Sequence, residues 1–150
     1  GCSGLPYQVA FEAHKFGSKI IGYSPVRNLK EQKEFTPTDD LSIYSKLIYI
    51  SQDFEYKSNR KISQKYRNVL STAACDAAII ISGRWGTLNE FTNLMDMEKI
   101  IGVLTDTGGI ADELPRLMTK IKKEKTGTVI FESSPKVLVK NILNKLQSTQ

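Results

Sequence analysis

Ala77-Ala78-Ile79-Ile80-Ile81-Ser82-Gly83-Arg84-Trp85-Gly86-Thr87-Leu88-Asn89-Glu90 is the stretch that decides the fold. Its first residues are apolar without alternation. That pattern marks a strand covered on both faces, as in parallel sheets, rather than a strand with one wet face. A glycine turn follows at Gly83–Thr87. From Thr87 to Lys99 the apolar residues recur at helical spacing, with Leu88, Phe91, Leu94 and Met95 expected inward. Strand, glycine turn, helix is the repeating unit of an open α/β sheet.

The same unit recurs on either side. Downstream, Ile100–Leu104 reads as a second buried strand and Asp106–Gly109 as the loop after it. A helix over 110–122 is expected to be kinked or begun afresh at Pro115. Thr128–Phe131 is a last strand, and Ser134-Pro135 is an N-cap with proline at the first helical position. The closing helix is expected to reach about Leu146. Upstream, Leu5, Val9, Ala10 and Ala13 fall on one helical face, and Gly17 is placed to end that helix. Residues 19–24 form a short strand stopped by Pro25. Residues 26–46 are polar and read as a long loop with one short turn of helix; loops this long often cover a site. Leu47–Ile50 is the next strand. Residues 59–75 form a helix with Ile62, Tyr66, Val69, Leu70 and Ala73 on one side. The expected fold is therefore an open, doubly wound, mostly parallel, Rossmann-like α/β domain spanning 1–150. The glycine loop at Gly1–Gly4 looks like the exit from a strand, so an opening segment is expected upstream of it.

Bulk properties narrow the function classes. The chain has 150 residues, enough for one core without disulfide or metal. No apolar stretch approaches the roughly 20 residues of a membrane span, and nothing in the opening residues argues for a secretory signal; an intracellular, cytoplasmic protein is expected. Cys2 and Cys75 make no spaced pattern, and His14 is the single histidine, so neither zinc nor any other metal site is expected. The formal net charge is +5. Much of the excess lies in 57–67, suited to guiding an anion, and in 120–125, which reads as the solvated end of a helix. No nucleic-acid module is recognisable, and the aromatics are not interleaved with the basic residues, which argues against nucleic-acid binding.

In open α/β sheets ligands bind beyond the carboxyl ends of the strands. Four segments lie there: Gly1–Gly4 with Leu5, Ser24-Pro25, Ser82–Thr87 and Asp106–Gly109. Glycines let the backbone approach an anion, and the following helix aims unpaired N–H groups at it. Gly83, Gly86 and the Thr87 hydroxyl are therefore candidate phosphate ligands. Glu90 has two readings, as the carboxylate of a capping box begun by Thr87 or as a carboxylate set over a bound sugar. Arg67 is a surface charge or a group reaching the cleft. Arg84 either grips phosphate or fills the space where a substrate would go. Trp85 either stacks on a base or caps the core. The P-loop lysine and the GxGxxG fingerprint are both absent, and no lysine stands in a context expected for pyridoxal phosphate.

Ser82–Glu90 resembles the PGGxGTxxE motif of the family long described as lysine decarboxylase-like, which includes the Lonely Guy-type phosphoribohydrolases. Gly4-Leu5-Pro6 and Ile20–Pro25 are similar to that family's G-L-M-G…V-I-G-V-I-P stretch. Arg67, fifteen residues before Ser82, matches the first member of its arginine-lysine pair. The resemblance implies a nucleoside 5′-monophosphate or similar small phosphorylated ligand. Gly4, Leu5, Ser24, Pro25, Ser82, Gly83, Arg84, Gly86 and Thr87 would hold it, and Arg67 and Glu90 would act on its N-glycosidic bond. It also implies a homodimer through the helix that carries Leu94, Met95 and Met97. No additional cofactor is implied for hydrolysis. Three positions depart from the pattern: Ser82 replaces proline, Arg84 replaces the second glycine, and Asn68 replaces the lysine. Relatives of the same fold carry molybdenum cofactor without cleaving anything, so a non-catalytic carrier or sensor stands beside the hydrolase.

Overall fold

The computed structural model describes residues 4–121 and 126–149. Cys2, within the Gly1–Ser3 stretch, and most of the basic run at 120–125 lie outside the described residues. The chain divides into two compact units, Gly1–Arg67 and Asn68–Gln150. Both are parallel α/β units of the open, Rossmann-like kind, with helices connecting the strands.

The N-terminal unit opens with α1 (Leu5–Lys15), whose Pro6 sits in the first turn, where a missing N–H costs nothing. Gly17, at φ 82°, ends the helix as expected. Its N–H donates to the His14 carbonyl and that of Ser18 to the Ala13 carbonyl, the paired bonds of a Schellman end. The apolar face read from the sequence is not a buried one. Leu5 and Val9 are exposed, while Tyr7 and Phe11 pack their rings at 6.0 Å. The Tyr7 hydroxyl accepts from the Asp40 N–H at 2.8 Å.

Strand β1 (Ile20–Tyr23) pairs in parallel with β2 (Tyr44–Ile48). Helix α2 (Leu29–Phe35) and a 3-10 turn (Leu41–Ile43) connect them. Residues 26–46 are thus not a loop. The Asn28 side chain accepts from the Glu31 N–H at 3.0 Å and starts the helix, and the Glu31 carboxylate accepts from the Arg27 N–H. This asparagine-to-glutamate spacing is a start signal that the polarity of the segment concealed. Asn28→Ala is expected to cost about 1 kcal/mol, read as a lowered urea midpoint. Strand β2 begins three residues earlier than expected, and Ile50 beyond it is buried with its N–H on the Val26 carbonyl.

Helix α3 (Arg60–Ala74) is capped by the Asn59 side chain, which accepts from the N–H groups of Lys61 and Ile62. Its buried positions are polar, namely Ser63, Asn68 and Thr72, whereas Ile62 and Val69 are exposed. The apolar periodicity selected the wrong face. The buried hydroxyl of Thr72 donates to the Asn68 carbonyl, which removes the cost of enclosing it.

The C-terminal unit has strand order β3 (Ala77–Ile81), β4 (Ile100–Leu104), β5 (Thr128–Glu132), all parallel and paired in register without interruption. Helices α4 (Trp85–Asp96) and α5 (Gly109–Lys120) cover one face, and α6 (Pro135–Thr149) lies on β4 and β5 from the other. Phe91, Leu94, Ile101, Val103, Ala111 and Leu114 form the core of the first layer. Leu138 and Ile142 close the second over Ile100 and Leu104. Full burial of such side chains contributes about 1.5–3 kcal/mol each. Gly102 permits the second layer, because a Cβ there would stand 2.4 Å from Ile142 Cδ1. Every residue of β4 is buried, as its composition implies, but Ile79 in β3 is half exposed. Its face is the one α6 covers only over β4 and β5, so an identical apolar pattern yields complete burial in one strand and not in the other. Helix α5 runs continuously through Pro115 rather than starting afresh there.

Candidate functional site

The turn after β3 is built by backbone conformation. Ser82 has φ 51° and Gly83 φ 102°. A Cβ on Gly83 would lie 2.4 Å from Thr87 Oγ1, so only glycine fits. The turn is clamped from the side of α5. The Ile110 N–H donates to the Gly83 carbonyl at 2.9 Å, and the Ala111 N–H to the Ser82 carbonyl at 3.1 Å. The Ser82 N–H donates to Thr107 Oγ1 at 2.8 Å, and that hydroxyl donates to the Leu104 carbonyl.

This clamp redistributes the four sequence-named segments. The first N–H groups of α5 are spent on the turn, and the Gly108 N–H donates to Asp112 Oδ2. The Asp106–Gly109 loop is therefore a brace rather than an open anion cradle. At α4 the reverse holds. The helix starts at Trp85, two residues earlier than expected, with Arg84 at the N-cap and no side-chain cap; the first helix-type bond comes from the Leu88 N–H. The N–H groups of Trp85, Gly86 and Thr87 form the positive end of that helix. Thr87 becomes the third helical residue and Glu90 lies in the second turn, so the capping-box reading of Glu90 fails on position. Gly86 has open space where a side chain would stand. Trp85 is 82% exposed and does not cap the core. Arg84 is exposed and does not fill the turn.

A proline is excluded from the Ser82 position as it stands, because its ring fixes φ near −65° and it lacks the donor used on Thr107. The departure of Ser82 from the motif thus has a structural counterpart. Asn68, in the place of the lysine, is buried and donates from Nδ2 to Asn89 Oδ1 at 3.0 Å, tying α3 to α4. Leu94 is only 2% exposed and Met95 packs on the core, so these two residues are not an exposed apolar seat for a second copy. Burial pushes the Cys75 thiol above its ordinary range, which makes it a poor nucleophile.

In the N-terminal unit, Gly4 is the exposed N-cap of α1 at φ 64°, without a side-chain cap, and Leu5 is exposed beside it. Ser24 and Pro25 are buried after β1. The Ser24 hydroxyl donates to Gln32 Oε1, and Gln32 Nε2 donates to Thr36 Oγ1 at 2.8 Å. This enclosed chain of hydrogen bonds fastens α2 to the end of β1 and occupies Ser24 structurally. Arg67 is half-buried on α3, at the end of this unit, and Glu90 is half-buried in the other. Among the described residues no group of histidine, cysteine, aspartate or glutamate is arranged to hold a metal ion, and no helix is long and apolar enough to cross a membrane.

Comparison with known proteins agrees with this architecture. No curated protein is similar enough to the chain to count as a match. The crystal structure of TM1055, a structural-genomics target, is similar to the chain with a TM-score of 0.65. It covers 93% of this chain and 73% of its own, at 14% identity, a level that speaks for the fold alone. The model of the SLOG cluster4 family matches residues 1–139. The resemblance read from the sequence holds at the level of a SLOG/LOG-related fold, and the chain belongs to the SLOG cluster4 family.

Proposed function

We propose that the chain binds a small phosphorylated, nucleotide-like molecule at the turn between β3 and α4, and that it hydrolyses the N-glycosidic bond of a nucleoside 5′-monophosphate. The observation that carries the binding reading is the α4 N-terminus: uncapped by any side chain, preceded by an obligatory glycine and clamped from behind by α5. Such an end accepts phosphate oxygens on backbone N–H groups already in place. In the hydrolytic reading, water adds to the ribose carbon as its bond to the base breaks, and the base leaves with a proton. Glu90 then orients that water or offsets positive charge growing on the ribose.

A carrier without turnover is the second reading. Two departures favour it: the positive φ of Ser82, which a proline cannot adopt, and Asn68 held by Asn89 where the resemblance places a lysine. The carrier's ligand would be a nucleotide or a phosphorylated cofactor such as molybdenum cofactor. A panel of ribonucleoside 5′-monophosphates, followed by chromatography of free base with calorimetry in parallel, separates the two. Base release is the expected result. Binding without release would establish the carrier, and neither binding nor release across the panel would remove both readings.

A further inference from the structure

The N-terminal unit contains a cavity of about 580 Å³ that the α4 turn does not involve. It opens beyond the carboxyl ends of β1 and β2, between the segment after β1, the first turns of α2 and the start of α3. That is where parallel α/β units receive ligands, and the volume suits a small metabolite. Pro25, named from the sequence, is part of its lining. Four cations line it, Arg27, Lys30, Lys57 and Arg60, against two carboxylates, Glu31 and Glu34.

Three of these cations are held in place rather than loose. Arg27 is bound to Glu31 by Nη2 at 2.5 Å and Nε at 2.6 Å. The Arg27 guanidinium accordingly holds the Glu31 carboxyl below its usual range, so that carboxylate is engaged as a brace. Arg27 still has N–H donors beyond the two that Glu31 takes. The Arg60 guanidinium lies 4.6 Å over the Phe35 ring, which fixes its plane and leaves its edge for hydrogen bonds. Lys57 Nζ donates to the Gln52 carbonyl. Ordered cations lose less freedom on meeting an anion than free ones do, and guanidinium forks match phosphate oxygens in pairs.

We propose that this cavity is a binding site for a phosphate monoester of a small metabolite, with Arg60, Arg27 and Lys57 as its phosphate ligands. The lining carries two more positive than negative charges, which complements a dianion, and the volume suits a small molecule. The inference is independent of the role assigned to the α4 turn.

Ribose 5-phosphate, titrated into the full chain and followed by amide NMR shifts and calorimetry, tests it. Ribose and a short single-stranded oligonucleotide serve as comparison ligands. The expected result is saturable shifts at residues 25–31 and 57–60, separate from any at the α4 turn, with ribose at least about tenfold weaker. The double variant Lys57→Gln/Arg60→Gln is expected to lose about tenfold or more in affinity, with an unchanged thermal transition. Thr87→Ala, at the α4 turn, is expected to leave this binding intact. Absence of binding at millimolar ribose 5-phosphate would overturn the proposal. So would shifts at residues 25–31 and 57–60 that survive the double variant or are lost in Thr87→Ala, or displacement of the sugar phosphate from these residues by the oligonucleotide at equal phosphate concentration.

Discussion

Changing Glu90 to glutamine is expected to lower the rate of base release from a nucleoside 5′-monophosphate by about a hundredfold to ten-thousandfold. The variant is expected to stay folded, as circular dichroism would show. Glutamine keeps the shape of glutamate and loses the charge, so it removes what a carboxylate does in a transition state. The fold does not need Glu90 as a cap, because α4 begins at Trp85 and Glu90 lies in the second turn. Nor does the side chain belong to the buried core of its unit, which is made by Phe91 and Leu94 on the same helix. The loss should appear in kcat and kcat/KM together, the signature of an interaction made in the transition state alone. A variant that releases base at the parental rate would take Glu90 out of the chemistry.

Gly109→Ala is expected to destabilise the C-terminal unit by about 2–5 kcal/mol. Gly109 has φ 62°, where an L side chain costs about 1–2 kcal/mol. Its Cβ would stand 2.4 Å from the Gly83 carbonyl oxygen and 2.9 Å from the Gly83 nitrogen. Both are backbone atoms and cannot rotate away, so α5 and the turn after β3 must separate, at the roughly 1–3 kcal/mol typical of overpacking. Gly86→Ala, three residues beyond Gly83, is the internal contrast. Nothing lies within 4 Å of a Cβ there, and alanine is the better helix former by up to about 1 kcal/mol. Urea unfolding of the two variants side by side should move the midpoint down for position 109 and leave or raise it for position 86. Equal midpoints would show that the clamp between the two glycines does not hold in solution. Because the clamp also poses the α4 N-terminus, Gly109→Ala should weaken nucleotide binding without touching a ligand.

The parts of the fold legible from sequence were those whose pattern has one physical solution. An unbroken apolar run such as Ile100–Leu104 has nowhere to go but the middle of a sheet, and its bounds were read without error. The Gly17 helix end and the Ser134-Pro135 helix start were legible for the same reason, since few residues suit those backbone positions. Helix α2 was not, because its start depends on one asparagine and its amphipathic face ends in glutamine rather than in an apolar side chain. Gln32 is fully buried, yet only its bonds to Ser24 and Thr36 make that acceptable. Helix α3 was assigned the wrong face for a related reason: hydrogen bonds, which periodicity does not encode, allow Ser63, Asn68 and Thr72 to be the buried side. At the α4 turn the residues were named as a motif, but their roles depended on where the helix begins. A shift of two residues turned Glu90 from a cap into a group of the second turn. The cavity of the N-terminal unit had Pro25 and the basic stretch 57–67 as its signals, since Arg27, Glu31 and Phe35 come from a segment that read as loop.

Trp85 is the only tryptophan in the chain, and it stands almost fully in water on the first turn of α4. The protein therefore contains a single indole chromophore at the point where a phosphorylated ligand is proposed to dock. Selective excitation of that ring gives an optical signal from this turn alone, with no dye attached and no second emitter to subtract. A base stacking on the indole would quench it, and a phosphate seated on the neighbouring amides would shift its emission by changing the local field. Stopped-flow fluorescence on the unmodified chain then yields association and dissociation rates at this turn directly.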